Sequence, residues 1–160
     1  MRRVLAVMGL AVLAGCGSNR GGAATGAESS DAAVQQFVFA AKAEDLQAMS
    51  AVWGDAEMPT RERVSRQELE QRLLITICHL RSDESRIGPA RAAEGGRVAH
   101  IVTLTKGDLR AESAFTTVRN TKSGRWYVEN IDLTVLQPFC KASVPQSRRI
   151  PPLLGADAAR

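Results

Sequence analysis

The sequence predicts an α+β domain in which three N-terminal helices pack on a curved, cone-like antiparallel sheet of about four strands. Two observations carry that expectation. Between residues 31 and 80 the apolar side chains recur every three or four positions, the period of a helix face. Beyond Asp83 they alternate every second position, and glycine-containing pairs punctuate the runs, as in hairpin-linked strands.

The first helix rests on Val34, Phe37, Val38 and Ala41, with Ser30 or Asp31 placed to cap it. Asp45 caps a second, shorter helix through Leu46, Met49 and Trp53, and Gly54 stops it. Residues 55–64 read as a polar loop around Pro59. Ser65-Arg66-Gln67-Glu68 is a capping box, in which the serine oxygen accepts an N–H and the glutamate reaches back. Behind it Leu69, Leu73, Ile77 and Leu80 form one stripe, and His79 and Arg81 sit where positive charge complements the helix dipole.

Strands follow near 85–94, 97–106, 109–119 and 125–135, separated by Gly95-Gly96, Gly107-Asp108 and Lys122-Ser123-Gly124. Val98, His100, Val102 and Leu104 share one face, and Ala99, Ile101, Thr103 and Thr105 the other. In the last strand Trp126, Val128, Asn130 and Asp132 oppose Tyr127, Glu129, Ile131 and Leu133, unless a bulge intervenes. Pro89 cannot donate to a ladder, so the first strand belongs at an edge. From Lys141 onward the chain is basic and proline-rich, with no element expected, and Arg148-Arg149 reads as solvated.

The start of the chain carries an address. Arg2 and Arg3 precede an uncharged apolar run from Val4 to Leu13, the layout of a secretory signal. The run is about half of the roughly 20 residues a spanning helix needs. Leu13-Ala14-Gly15-Cys16 resembles the lipobox of bacterial lipoproteins, which implies acylation of Cys16 and cleavage before it. Residues 1–15 are then the signal peptide and residues 16–30 the lipidated cysteine with a Gly/Ala/Ser tether spanning roughly 20 Å. Residues 31–140 form the single domain and 141–160 the tail. Gly17, where some bacteria place a retention aspartate, implies outer-membrane sorting with the domain facing the periplasm.

Cleavage removes two arginines and no carboxylate, so the net charge falls from +4 to +2 over 145 residues. That excess is too small to argue for nucleic acid. With Cys16 lipidated, Cys78 and Cys140 remain in an oxidising compartment, either as a disulfide or as two buried thiols. Two thiols with one adjacent His79 make a poor zinc set, so no metal or other cofactor is expected.

Three helices, then four strands, closing on Gly124-Arg125-Trp126-Tyr127-Val128, together resemble the nuclear transport factor 2 superfamily. The likeness spans about residues 31–136 and includes a Phe-x-x-Ala at Phe37. A cystatin-like sheet with one dominant helix is the alternative, in which residues 31–53 pack less regularly. The superfamily holds enzymes, binding modules and assembly domains. In its catalytic members a carboxylate, sometimes with tyrosine or histidine, sits in the cone. The matching chemistry here is His100, Glu112, Tyr127 and Asp132, which no short motif ties together. His100 lies on an apolar face, either in a pocket or satisfied within the core; Asp132, late in a strand, is expected to face water. The seven aromatics, Phe37, Phe39, Trp53, Phe115, Trp126, Tyr127 and Phe139, all fall where a core needs them. The expectation is a non-catalytic envelope lipoprotein whose partners are the membrane, through its lipid, and either a protein or a small apolar ligand. A proton-transfer enzyme of the isomerase or cyclase type is the runner-up.

Overall fold

A computed structural model describes residues 25–142, and the side chains of residues 25–141. The expected leader, the lipid-bearing Cys16, the tether before residue 25 and the tail past residue 142 lie outside the described residues. The chain folds as an α+β domain with the order α1 (Ser30–Lys42), α2 (Leu46–Ala51), α3 (Thr60–Arg63), α4 (Arg66–Leu80), β1 (Glu84–Ile87), β2 (Arg91–Ala92), β3 (Val98–Lys106), β4 (Leu109–Arg119), β5 (Trp126–Ile131) and α5 (Gln137–Ala142). The sheet is antiparallel and open, in the order β1-β3-β4-β5, with β2 also pairing β3.

The helices begin where short polar side chains can take up free N–H groups. Ser29, one residue before the expected cap, accepts from Ala32, which makes Ser30 the first helical residue. Asp45 caps α2 by accepting from Ala48 at 3.0 Å. Ser65 accepts from Glu68 at 3.2 Å, but the return half of the expected box is replaced: the Glu68 carboxylate takes Arg72 at 2.5 Å instead. The α4 stripe Leu69, Leu73, Ile77 and Leu80 is buried throughout. His79 is buried too, and its Nδ1 meets the Ile75 carbonyl at 2.9 Å.

Two helical boundaries differ from the expectation, the first because distant backbone competes for the residues and the second because a nearby carboxylate organises the loop. α2 ends at Ala51, not at Gly54, since residues 52–54 run along β5: Val128 N–H donates to Val52 and Gly54 N–H to Val128. Gly54 is a packing residue there, because a Cβ would stand 2.9 Å from Met58 O, Pro59 Cα and Tyr127 Cδ1. Within the expected 55–64 loop, Asp55 accepts the N–H groups of Glu57 and Met58 and pairs with Arg63, folding α3 into one turn.

The expected 85–94 strand is split at Gly88-Pro89-Ala90 into β1 and β2, both on the outer side of β3, with Pro89 at the edge as its missing N–H requires. Gly107 and Gly124 take φ of 54° and 69°, the left-handed conformation these turns need. A bulge between Thr116 and Thr117 leaves Glu129 unpaired, so Val128 and Ile131 both face inward, opposite Thr117 and Phe115. The last strand stops at Ile131, and the chain turns through residues 134–136 into α5, which the sequence reading did not expect.

The core lies between the sheet and helices α1, α4 and α5. Phe37, Leu73, Met49, Phe115, Leu136 and Phe139 are all within 1 % of full burial, each contributing about 1.5–3 kcal/mol of transfer free energy. Residues 31–53 pack regularly, since Ala33, Val34, Ala41 and Val52 join the same core.

Candidate functional site

Of the four chemistry-bearing candidates, one lies inside the core. β3 presents His100, Val102 and Leu104 to the helices, and all three are fully buried. The α1 N-terminus descends on this strand and brings Ser30 within reach. His100 Nε2 stands 2.6 Å from Ser30 Oγ, which stands 2.8 Å from Thr117 Oγ1 on β4. Thr117 in turn donates to the Val98 carbonyl at 3.1 Å. On its other side the ring turns Nδ1 towards the Gly88 carbonyl at 3.5 Å and the Asp31 carboxylate at 3.9 Å.

Each hydroxyl has one proton to give: Thr117 gives its own to Val98, Ser30 gives its own to Thr117, and the Ser30 oxygen accepts from the Nε2–H of His100. Ser30 and Thr117 are the partners the sequence reading missed. The signal was present in Ser29-Ser30-Asp31, where one serine suffices for the cap and the next is left to turn inward. Thr117 shares strand parity with Ser113 and Phe115, so it belongs to the buried face.

The other three lie apart from it. Glu112 is exposed on the outer sheet face, opposite Thr103. Tyr127 is buried on the side of β5 away from the main core, where its hydroxyl donates to Thr25 Oγ1 at 2.9 Å. Asp132 accepts the Thr134 N–H at 3.0 Å and shapes the turn after β5. Each of the four is engaged or placed separately, and none of their polar contacts joins two of them.

Around His100 the interior is occupied by buried side chains, Val34, Phe37, Val102 and Phe115 among them. A cavity of about 120 Å³ opens beside Phe37, Trp53, Thr76 and Leu133, too small for a drug-sized ligand. A groove of about 630 Å³ lies on the outside, between α1 and β1, against Val38, Phe39 and Ile87. Phe39, expected in the core, is 77 % exposed. It falls off the Val34–Phe37–Val38–Ala41 stripe, which was the legible sign.

Two electrostatic contacts brace the frame. Arg97 binds the Glu129 carboxylate through two nitrogens, the second at 2.7 Å, which ties the start of β3 to the β5 bulge and raises the arginine pKa further. For Asp55, partial burial alone would raise the pKa. The N–H groups of Met58 and Glu57 and the Arg63 guanidinium outweigh it and hold the carboxyl below its usual value. Cys78 on α4 and Cys140 on α5 lie at disulfide distance, their Cα atoms 4.8 Å apart. Among the described residues no group of three or more His, Cys, Asp or Glu is placed to hold a metal, and no helix is long and apolar enough to cross a membrane.

Compared with family models, with curated proteins and with solved structures, the chain finds no match.

Proposed function

We propose that this chain is a non-catalytic lipoprotein of the bacterial envelope, anchored through lipid on Cys16 and acting through its domain surface on a protein partner. The filled interior is the observation that carries this reading. Phe37, Phe115, Phe139, Leu73 and Leu136 occupy the space a bound apolar molecule would need. His100 is the candidate base in that interior, yet its ring is fully buried and both nitrogens face protein atoms. A general base needs a substrate proton within hydrogen-bonding reach. The likeness to the nuclear transport factor 2 superfamily is part of the proposal; the helices-then-sheet order supports it, and the fold by itself assigns no chemistry.

Two measurements test it. Cells fed an alkyne fatty acid should tag the wild-type chain and leave Cys16→Ala untagged, and equal tagging of both would remove the anchor. Native mass spectrometry of the detergent-extracted protein should give the acylated polypeptide, as one chain or as two, with no small molecule retained. A retained apolar compound of fixed mass would overturn the packed-interior reading and make the domain a ligand carrier.

A further inference from the structure

The two edges of the sheet are finished differently. The β5 edge is sealed: Ala27 exchanges two backbone bonds with Trp126, and residues 52–54 bond to Val128. The β1 edge, at the other end of the sheet, has no such cover among the described residues. Gly88 N–H donates to Ile101, in register with the β1–β3 ladder. By antiparallel alternation Glu84 and Arg86 then face β3, while Ser85 and Ile87 turn their N–H and C=O groups outward. Asp83 is already engaged, its N–H donating to Thr105 and its C=O accepting from Lys42, so Ser85 is the residue at which a partner strand can exchange both bonds.

We propose that β1 pairs antiparallel with β1 of a second copy, centred on Ser85, to make one continuous sheet across a two-fold axis. Charge selects this register. With Ser85 opposite Ser85 of the partner copy, Glu84 stands opposite the second copy's Arg86 and the reverse holds across the axis. Centring on Glu84 or Arg86 sets like charges face to face. Centring on Ile87 brings in Pro89, which has no N–H to give. Glu84 and Arg86 are both exposed, and neither has an ion-pair partner among the described residues. A second feature points the same way. The groove between α1 and β1 has an apolar floor of Val38, Phe39 and Ile87 rimmed by Gln35, Gln36, Lys42 and Ser85, and it lies on the side of the sheet that a two-fold would double. Phe39, 77 % exposed in one copy, would be covered from across the axis.

The test uses the full chain in its own envelope. Residues opposite each other in a hydrogen-bonded pair have Cα atoms about 5.5 Å apart, within disulfide range. Mild oxidation of Ser85→Cys should therefore give a species of twice the chain mass on a non-reducing gel. Thr121→Cys, exposed in the β4–β5 turn, should stay single. Adding Glu84→Arg or Arg86→Glu to Ser85→Cys should cut the cross-linked yield by roughly tenfold, as two opposite-charge pairs become like-charge ones. The double exchange Glu84→Arg with Arg86→Glu should restore it. No dimer from Ser85→Cys, a mixed disulfide with a different protein, or a double exchange no better than the singles would each overturn the proposal.

Discussion

Ser30 serves two buried partners with one hydroxyl. His100 Nε2 and Thr117 Oγ1 both lie within 2.8 Å of it, in a region closed to solvent. Truncating it orphans the imidazole nitrogen and strips the threonine of a neighbour, and an unsatisfied buried polar group costs about 1–3 kcal/mol. Ser30→Ala is expected to lose stability in that range, read as a lower urea midpoint at unchanged slope. A loss below about 0.5 kcal/mol would mean the row is merely accommodated. Asp55 gives a pH-dependent counterpart. Its folded pKa lies below the ordinary value of 3.8, so its contribution is fully present above that value and disappears as pH falls through the folded one. Asp55→Asn should therefore be less stable than wild type at neutral pH, and the gap should close on acidification below 3.8. A gap that stays constant with pH would assign the effect to hydrogen bonding by either side chain, and not to the carboxylate charge.

At the level of elements, the α2–β5 junction depends on a missing side chain. Gly54 sits against Met58 and Pro59 backbone and the Tyr127 ring, and backbone cannot swing aside as a flexible side chain would. Overpacking of this kind costs typically about 1–3 kcal/mol. Gly54→Ala should lose that much, and amide exchange at Val128, whose N–H donates to Val52, should accelerate more than exchange in β3. Equal acceleration across the sheet would place the strain elsewhere. The same junction marks the limit of what the residues disclosed in advance. The Asp45 and Ser65 caps, the α4 stripe and the buried parity of His100, Val102 and Leu104 were legible, because each depends on neighbours within one or two turns of chain. The early end of α2, the docking of Ala27 on Trp126 and the Glu129 bulge were not, because each is decided by a strand many residues away. Residues 25–30, assigned by composition to the tether, make contacts of the same long-range kind: Arg125 holds the Gly26 carbonyl at 2.8 Å and Tyr127 holds Thr25. For the candidate site, parity placed His100 inside, but its partners come from a helix start and a neighbouring strand that no local pattern links.

Across the whole molecule, the fold is closed at its C-terminal end by an element that could not stand alone. α5 has six residues, well below the length at which an isolated helix persists in water. Phe139 holds it to the core, 1 % exposed, and Cys140 brings it to Cys78 on α4. The two cysteines are 62 residues apart, so a bond between them encloses all of the sheet. In the unfolded chain that closure removes conformational freedom, which on chain-entropy grounds stabilises the native state by about 2–4 kcal/mol. Cys78→Ser with Cys140→Ser should lower the unfolding free energy by that amount in oxidising buffer. The wild type should fall to the same level on reduction, while the double variant should not respond to reductant at all. Because α5 is the part released, amide protection and Phe139 burial should be lost there first, ahead of β3 and β4. A wild type equally stable with and without reductant, or purified under non-reducing conditions with both thiols free to alkylation, would show that packing of Phe139 and Leu136 holds this end unaided.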